Sequence, residues 1–433
     1  MWPRLDVHPQ RHPRLLFADI HGRIFEHPKL LALGLTGLDL VLPTPEDFIP
    51  LPQGSALYVL PDRYPIGLDP QREEVEIVYE NPFEEGQPAY AVAAYLAPAH
   101  TQTFLAPYQE GRESLPPLPL FSYACVGWWK GRFWVTAFRS DFDHRQEVRF
   151  FDEKKIVQAA EKKIKAYPRN RLVRHLVENC VLRYRCPAAR NFVLGRWEAP
   201  IPTSPVCNAR CLGCLSWQGQ DGPHVAQERL EFIPSPEEIA EAMVPHLKRA
   251  PRAIVSFGQG CEGEPLLQGA LLAQAIRLLR SSTNRGTINL NTNASLPEVV
   301  TQLGRVGLDS MRVSLVSARP RYYEAYFRPK GYGLDDVKMS IRRFKSLGGF
   351  VSLNLFIFPG ITDEEEEAEA LEEVVSYGVD FIQLRNHAID PIWYLGRINY
   401  QSAGNRLGIK GLLKRLAQRF PRLRFGYFNP PLR

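Results

Sequence analysis

The sequence contains no run of about eighteen uncharged apolar residues, the length that a helix needs to cross a bilayer. Its first stretch, residues 1–14, is polar and proline-rich and lacks the apolar segment of a secretory signal. These two absences predict a cytoplasmic protein that does not span or bind a membrane.

Cysteine is also scarce, with seven residues in a chain of 433. Disulfide-stabilised secreted folds are shorter and denser in cysteine, so a disulfide framework is excluded and a reducing compartment is expected. The spacing of Cys180 and Cys186 matches no iron–sulfur signature. Buried, unreactive thiols are therefore favoured at Cys125, Cys180, Cys186 and Cys261, with a second cluster as the alternative.

Acidic residues are absent from 391–433, where nine arginines and lysines occur. Such a tail suits an anionic partner such as RNA. The formal charge of the whole chain is only +6, which does not by itself indicate nucleic-acid binding. A solvated basic face on a closing helix is the favoured interpretation.

A length of 433 residues with 45% hydrophobic content predicts two or three domains with sizeable cores. The pattern divides the chain into 1–150, a β-rich accessory or substrate-recognition region; 151–195, a basic helical connector; 196–400, alternating strands and helices; and 401–433, a basic C-terminal helix and tail. In the first part, Lys130 and Gly131 form the predicted turn of a hairpin.

The third part has the rhythm of parallel βαβ units. Its predicted strands are 197–202, 253–257, 287–291, 311–315, 350–358 and 379–384. Six units rather than eight predict an α/β fold with a partial (β/α)6 TIM-like barrel. In such barrels the loops that follow the strands gather at one face, where the chemistry is built.

The loop after the first strand contains Cys207, Cys211 and Cys214, separated by three and two residues. Three thiolates on one loop hold an iron–sulfur cluster in which one iron lacks a protein ligand. A structural zinc site needs a fourth cysteine or histidine. Because His224 follows ten residues after Cys214, the loop alone leaves zinc open.

Small and polar residues follow the later strands. Glycines allow a backbone to approach a ligand closely, and short amides and hydroxyls suit ribose hydroxyls. The candidates are Glu262, Gly263 and Glu264 after the second strand, Asn291 and Asn293 after the third, Ser314 on the fourth, and Arg385 and His387 at the sixth. A simple turn, a helix cap at Ser295 and solvated loop residues are the structural alternatives.

In this order and spacing, the motifs resemble those of the radical S-adenosylmethionine (SAM) superfamily over about 197–391. The resemblance implies a radical SAM core with metal ligands Cys207, Cys211 and Cys214. It also implies SAM contacts from Glu262, Gly263, Glu264, Asn291, Asn293, Ser314 and Arg385. The family often has an aromatic residue before the third cysteine; here that residue is Gly213, and Trp217 is the candidate replacement.

The resemblance further implies a [4Fe–4S] cluster that reductively cleaves SAM. The resulting 5′-deoxyadenosyl radical would abstract hydrogen from a substrate that the sequence does not identify, with RNA or a peptide as candidates. A reductant such as a flavodoxin or ferredoxin is an implied partner. The alternative is a non-catalytic zinc or iron–sulfur protein that binds RNA or another anionic partner through its basic tail.

Overall fold

The computed structural model describes residues 9–402 and 404–433. The prediction made for residues 1–14 therefore falls mostly outside the described residues. Within those two ranges, no helix is both long enough and apolar enough to cross a membrane.

The first part of the chain folds into antiparallel strands. They are β1 (Arg14–Ala18), β2 (Ile24–Ala32), β3 (Gly34–Thr36), β4 (Asp39–Val41), β5 (Phe48–Pro50), β6 (Ala56–Leu60), β7 (Arg63–Asp69), β8 (Glu74–Ile77), β9 (Tyr90–Tyr95), β10 (His100–Gln102), β11 (Tyr108–Glu110), β12 (Val126–Trp129) and β13 (Arg132–Arg139). Apart from β3 and β4, which pair together, they form one 11-stranded sheet with the central path β10-β13-β12-β1-β2-β7-β11.

The predicted hairpin joins β12 to β13. Lys130 and Gly131 have φ angles of 49° and 73°. Two successive positive angles match the right-handed twist of the flanking strands, as a two-residue hairpin turn requires. The prediction of a β-rich N-terminal region is confirmed.

Four helical segments follow. They are α1 (Glu153–Ala166), α2 (Arg171–His175), a π-helix (Leu176–Arg183) and α3 (Pro187–Val193). Asp152 and Asn170 cap α1 and α2, since their side chains accept hydrogen bonds from the amides of Lys155 (3.2 Å) and Val173 (2.9 Å). The apolar residues of these segments belong to the core of the sheet that follows.

The next part alternates parallel strands with helices. The strands are β14 (Glu198–Ile201), β15 (Ile254–Phe257), β16 (Thr287–Thr292), β17 (Ser310–Leu315), β18 (Phe350–Ile357), β19 (Phe381–Asn386) and β20 (Arg424–Gly426). The helices are α4 (Pro236–Arg249), α5 (Gly269–Ser282), α6 (Pro297–Arg305), α7 (Pro320–Phe327), α8 (Leu334–Ser346), α9 (Glu365–Ser376), α10 (Pro391–Arg397) and α11 (Ile409–Arg419). All neighbouring strands in this sheet are parallel and follow chain order.

The α/β prediction is confirmed, with one addition. The sheet has seven strands because β20, which the sequence analysis placed in a tail, pairs in parallel with β19. Among the described residues β14 and β20 do not pair, so the sheet is open. The helices α7 and α10 were also missed, because each is only 8 or 7 residues long and begins at a proline.

The two faces of the parallel sheet differ in polarity. On β17, Met311, Val313 and Leu315 lie in the hydrophobic core, and the alternating residues lie on the other face. We call this second face the polar inner face. Its members are Glu198, Ser256, Asn289, Asn291, Ser310, Arg312, Ser314, Ser352, Asn354, Gln383 and Arg385.

The basic C-terminal segment contributes ion pairs within the molecule. Arg406 pairs with Asp39 (2.6 Å), and Arg415 pairs with Glu372 (2.7 Å). Lys410 and Arg433 likewise meet Asp47 and Asp309. Part of the positive charge of this segment is therefore neutralised by acidic residues elsewhere in the chain.

The N-terminal sheet contacts the C-terminal ends of β18 and β19. The hydroxyl of Tyr108 donates to Asp390 (2.6 Å), and the amide of Leu118 donates to the same carboxylate (2.9 Å). The buried guanidinium of Arg63 lies 3.5 Å from it. Since strand ends of this kind carry the candidate site residues, the N-terminal region covers one side of that site.

Replacing Asp390 tests this interface. We expect Asp390→Ala to lower the free energy of unfolding by about 3–5 kcal/mol, because it leaves the buried Arg63 without its carboxylate partner and the hydroxyl of Tyr108 without its acceptor. Thermal unfolding measures the effect. Asp335→Ala, at a 98% exposed side chain, is the control. Equal melting temperatures for the two variants would contradict the proposed contribution of the interface.

Candidate SAM and cluster site

The three cysteines lie on the long loop between β14 and α4, and each is partly buried. This loop is held against the chain around α7. The amides of Arg210 and Leu212 donate to the carbonyls of Phe327 (2.9 Å) and Tyr326 (3.0 Å). The backbone of the loop is thereby fixed on both sides of Cys211.

The protein environment affects the three thiols in different ways. Burial raises the pKa of Cys207 to about 11 and that of Cys211 well above its usual range. Both thiols are therefore protonated near neutral pH until a metal ion displaces the proton. At Cys214, Nη2 of Arg229 lies 3.4 Å from the sulfur and donates a hydrogen bond to it.

The glycine-rich loop after β15 lies directly against the chain that enters the cysteine loop. The amide of Gly263 donates to the carbonyl of Ser204 (2.7 Å), and the amide of Glu264 donates to that of Val206 (2.9 Å). A β-carbon at position 263 would lie 1.9 Å from the carbonyl oxygen of Val206. Only glycine permits this approach, so the two predicted motifs are brought together.

Glu264 connects the same loop to the end of β16. Its carboxylate accepts hydrogen bonds from the hydroxyl of Thr292 (2.5 Å) and from the amides of Asn293 (2.8 Å) and Leu266 (3.0 Å). Burial raises the pKa of Glu264 to about 7. These bonds leave part of the acceptor capacity of the carboxylate unused.

Glu262 is directed at the chain leaving β14. It accepts hydrogen bonds from the amides of Thr203 (2.7 Å), Ser204 (2.8 Å) and Gln259 (2.8 Å). The hydroxyl of Thr203 adds a fourth bond at 3.1 Å. Burial raises the pKa of Glu262 to about 7. Its carboxylate is thus occupied by the backbone that positions the two loops.

The two asparagines of β16 have different surroundings. The amide nitrogen of Asn293 donates to the side chain of Asn208 (2.8 Å), which lies between the first two cysteines. That of Asn291 donates to the carbonyl of Gly258 (2.6 Å). Asn293 therefore connects β16 to the cysteine loop, and Asn291 connects it to the glycine-rich loop.

Ser314 and Arg385 lie on the polar inner face, and their side chains form no hydrogen bond or ion pair with the described residues. Asn354, the register partner of Ser314, has a buried Oδ1 that also lacks a partner. Buried polar atoms are usually paired, so Oδ1 of Asn354 marks a place where a ligand would supply a hydrogen bond, and the partly buried Ser314 and Arg385 lie on the same face. The sequence analysis missed Asn354, because the only sign of its position was the alternation of side chains between the two faces of β18, which does not indicate a binding role.

The aromatic residue next to the third cysteine comes from α7. A β-carbon on Gly213 would lie 2.8 Å from the hydroxyl of Tyr326, so Tyr326 fills the space beside the loop. Trp217, the expected replacement, is 38% exposed and stacks under Arg210 instead. No pattern in the sequence pointed to Tyr326, since α7 itself was not predicted.

His387 lies beside Tyr326, with 5.1 Å between ring centroids, and packs against Tyr394 at 4.6 Å. It is buried, and neither ring nitrogen has a partner among the described residues. Burial lowers the pKa of His387 to about 3, so the ring is neutral at physiological pH.

A comparison with protein families identifies this part of the chain. Residues 201–371, which include the cysteine loop and the glycine-rich loop, match the model of the radical SAM superfamily. This domain belongs to the radical SAM superfamily. The resemblance predicted from the motifs is confirmed for residues 201–371, which form a radical SAM domain whose reaction the match does not specify.

Solved structures show a weaker likeness to this chain. Streptococcus suis SuiB bound to precursor peptide SuiA has 14% identity and a TM-score of 0.37, with 55% of this chain and 52% of that chain covered. A radical SAM methyltransferase from Sphaerobacter thermophilus has 16% identity and a TM-score of 0.36, with 53% of this chain and 66% of that chain covered. The [FeFe]-hydrogenase maturase HydG has 13% identity and a TM-score of 0.35, with 65% of this chain and 69% of that chain covered. No curated protein matches the chain.

The neutral state of His387 predicts a pH effect on stability. Below pH 6.5 the unfolded chain protonates this histidine while the folded chain does not, so stability falls as the pH falls. Between pH 6.5 and 5 the protonation of this histidine in the unfolded chain lowers the free energy of unfolding by about 2 kcal/mol. We expect His387→Phe to remove it, so that the melting temperature of the variant rises relative to wild type as the pH falls. His21→Phe, at an exposed position, is the control, and parallel profiles for wild type and His387→Phe would contradict the assignment.

Proposed function

We propose that Cys207, Cys211 and Cys214 bind a [4Fe–4S] cluster and that this radical SAM domain reductively cleaves SAM there. The observation that carries the proposal is the pairing of two loops by backbone hydrogen bonds at Ser204 and Val206. This pairing puts the cysteines beside the Gly263–Glu264 segment that resembles the SAM-binding motif. A metal site and a site for an amino acid moiety are thus adjacent.

The spread of the three sulfurs supports a cluster over a single zinc ion. With Zn–S bonds of about 2.3 Å, the sulfurs of a tetrahedral site lie roughly 3.8 Å apart. Among the described residues, three potential ligand atoms lie within 4.8 Å of one another only at His175, Cys180 and Cys261, and not at the three loop cysteines. At least one pair of the loop sulfurs is therefore more than 4.8 Å apart, which exceeds the spacing in a tetrahedral zinc site.

The chain's own groups fit SAM beside such a cluster. Backbone groups at Gly263 and the free acceptor capacity of Glu264 suit the amino group of SAM. Arg385 offers a guanidinium without an ion-pair partner for a carboxylate. Ser314 and Asn354 offer unpaired oxygens for ribose hydroxyls, and Asn291 is a further candidate for that role.

When bound and reduced, a [4Fe–4S] cluster supplies the electron that splits SAM into methionine and a 5′-deoxyadenosyl radical. The protein orients SAM and excludes water. Tyr326 closes the cysteine loop on one side, and the N-terminal sheet covers the ends of β18 and β19. The reductant is proposed to be a flavodoxin or ferredoxin.

The substrate is proposed to enter between the polar inner face and the N-terminal sheet. The guanidinium of Arg385 lies 3.9 Å from the ring centroid of Tyr427. Tyr95 lies within electrostatic range of both Arg385 and Tyr427. The ring of Tyr95 in turn packs against that of Phe121, with 5.7 Å between the ring centroids. Aromatic residues of the N-terminal region thus lie close to the SAM-binding side.

Loss of one cluster ligand tests the reaction. We expect Cys211→Ala to abolish formation of 5′-deoxyadenosine from SAM in reduced, anaerobic protein, because a cluster held by two thiolates is not retained. The assay follows 5′-deoxyadenosine by chromatography and the cluster by spin resonance with and without SAM. Cys125→Ala, which removes a buried thiol of the N-terminal sheet, should retain activity. Normal turnover by Cys211→Ala would disprove the proposal.

The loop pairing gives a second prediction. We expect Gly263→Ala to lower the iron content after reconstitution at least tenfold, because its β-carbon would displace Val206 and the adjoining Cys207. Iron assay and spin resonance measure this. Gly219→Ala is the matched control in the same region, since a β-carbon there meets no atom within 4 Å. Equal iron contents would show that the cysteine loop does not depend on this approach.

A further inference from the structure

A second group of potential metal ligands lies outside the cysteine loop. One ring nitrogen of His175 and the sulfurs of Cys180 and Cys261 all lie within 4.8 Å of one another. Cys180 and Cys261 are only 4% and 5% exposed. The residues come from two separate elements, the connector helices and the glycine-rich loop after β15.

The local helix geometry brings His175 and Cys180 together. Residues five apart point about 140° away from each other around an α-helix. Here the chain from Leu176 to Arg183, directly after His175, is a π-helix, whose wider turn with i→i+5 hydrogen bonds brings residues five apart much closer to one face. Helices of this type are rare and occur often at functional sites. The unusual geometry thus aligns the two ligands.

The histidine has the surroundings of a metal ligand. Its Nδ1 lies 3.1 Å from the side-chain amide of Asn179, and its Nε2 is buried without a hydrogen-bond partner. In the structure the amide nitrogen of Asn179 donates to Nδ1, which leaves the ring hydrogen on Nε2. Metal binding through Nε2 requires the Asn179 amide to rotate, so that its oxygen accepts the hydrogen of Nδ1 and Nε2 presents a lone pair. Histidines that bind metals are usually oriented by such a second hydrogen bond.

We propose that His175, Cys180 and Cys261 bind one Zn²⁺ ion. Two thiolates and an imidazole are the donor set of zinc sites with three protein ligands, in which the fourth position is open. His175 also lines a cavity of about 680 Å³ between α2, the π-helix and residues 228–232. Water from this cavity is the fourth ligand. Binding releases the protons of both thiols and leaves no group oxidised or reduced.

The ion would join the connector to the loop that carries Glu264. Cys261 lies three residues before Glu264, and its carbonyl accepts a hydrogen bond from the amide of Leu230 (2.7 Å). Zinc at this position ties the glycine-rich loop to the connector helices. Its role is therefore structural support of the site, and it does not depend on SAM cleavage.

The test uses the full chain with Cys207→Ala, Cys211→Ala and Cys214→Ala, so that the cysteine loop contributes no thiolate. Co²⁺ is titrated anaerobically into the metal-free protein, and thiolate-to-cobalt charge-transfer absorption is followed. We expect the band to saturate at one Co²⁺ per chain and to disappear when Zn²⁺ is added. No such band at one equivalent would overturn the proposal, whatever the outcome of the SAM assay.

Single changes in this background identify the ligands. We expect Cys180→Ala to weaken Co²⁺ binding at least tenfold and to reduce the charge-transfer band by about half. Cys125→Ala is the matched control, since it also removes a buried thiol, and it should change neither the Co²⁺ affinity nor the charge-transfer band. An unchanged band in Cys180→Ala would overturn the assignment, as would a Cys180–Cys261 disulfide found by mass spectrometry of anaerobically prepared protein. If Cys180→Ala fails to fold, the titration of the parent protein still decides.

Discussion

The candidate site depends on the close approach of two loops, one that contains the cysteines and one that contains Gly263 and Glu264. Two backbone hydrogen bonds hold them together, and a side chain at position 263 would collide with the carbonyl of Val206. A metal centre and a binding site for a small molecule can act on each other only at contact distance. The absence of one β-carbon is therefore the physical basis of the proposed chemistry.

The glycine-rich loop also connects three other parts of the fold. Cys261 faces the π-helix, Glu262 accepts hydrogen bonds from the chain leaving β14, and Glu264 accepts them from the end of β16. Two buried carboxylates a residue apart are costly unless hydrogen bonds compensate for lost hydration. Each carboxylate here receives at least three such bonds, and the pKa of each is about 7. These hydrogen bonds hold the loop in place, although it lacks regular structure.

Much of this arrangement could be predicted from the sequence. The strands β15 to β18 were recognised because buried, β-branched runs alternate with amphipathic helices, and the hairpin was recognised from Lys130 and Gly131. The short segments α7 and β20 have too few residues to show a period. Tyr326 was therefore missed together with α7. Asn354 was missed because nothing in the sequence distinguishes it from any other polar residue on a strand.

The pair His175 and Cys180 shows a second reason why site residues could not be predicted from the sequence. Motif searches read metal ligands from spacings that suit loops or α-helices, and in an α-helix these two residues point apart. A π-helix changes the period of side chains along the chain, so the same spacing brings them to one face. Because an α-helix is the more favourable backbone, the π-helix needs a compensating interaction. In our proposal, zinc bound by His175, Cys180 and Cys261 provides that interaction.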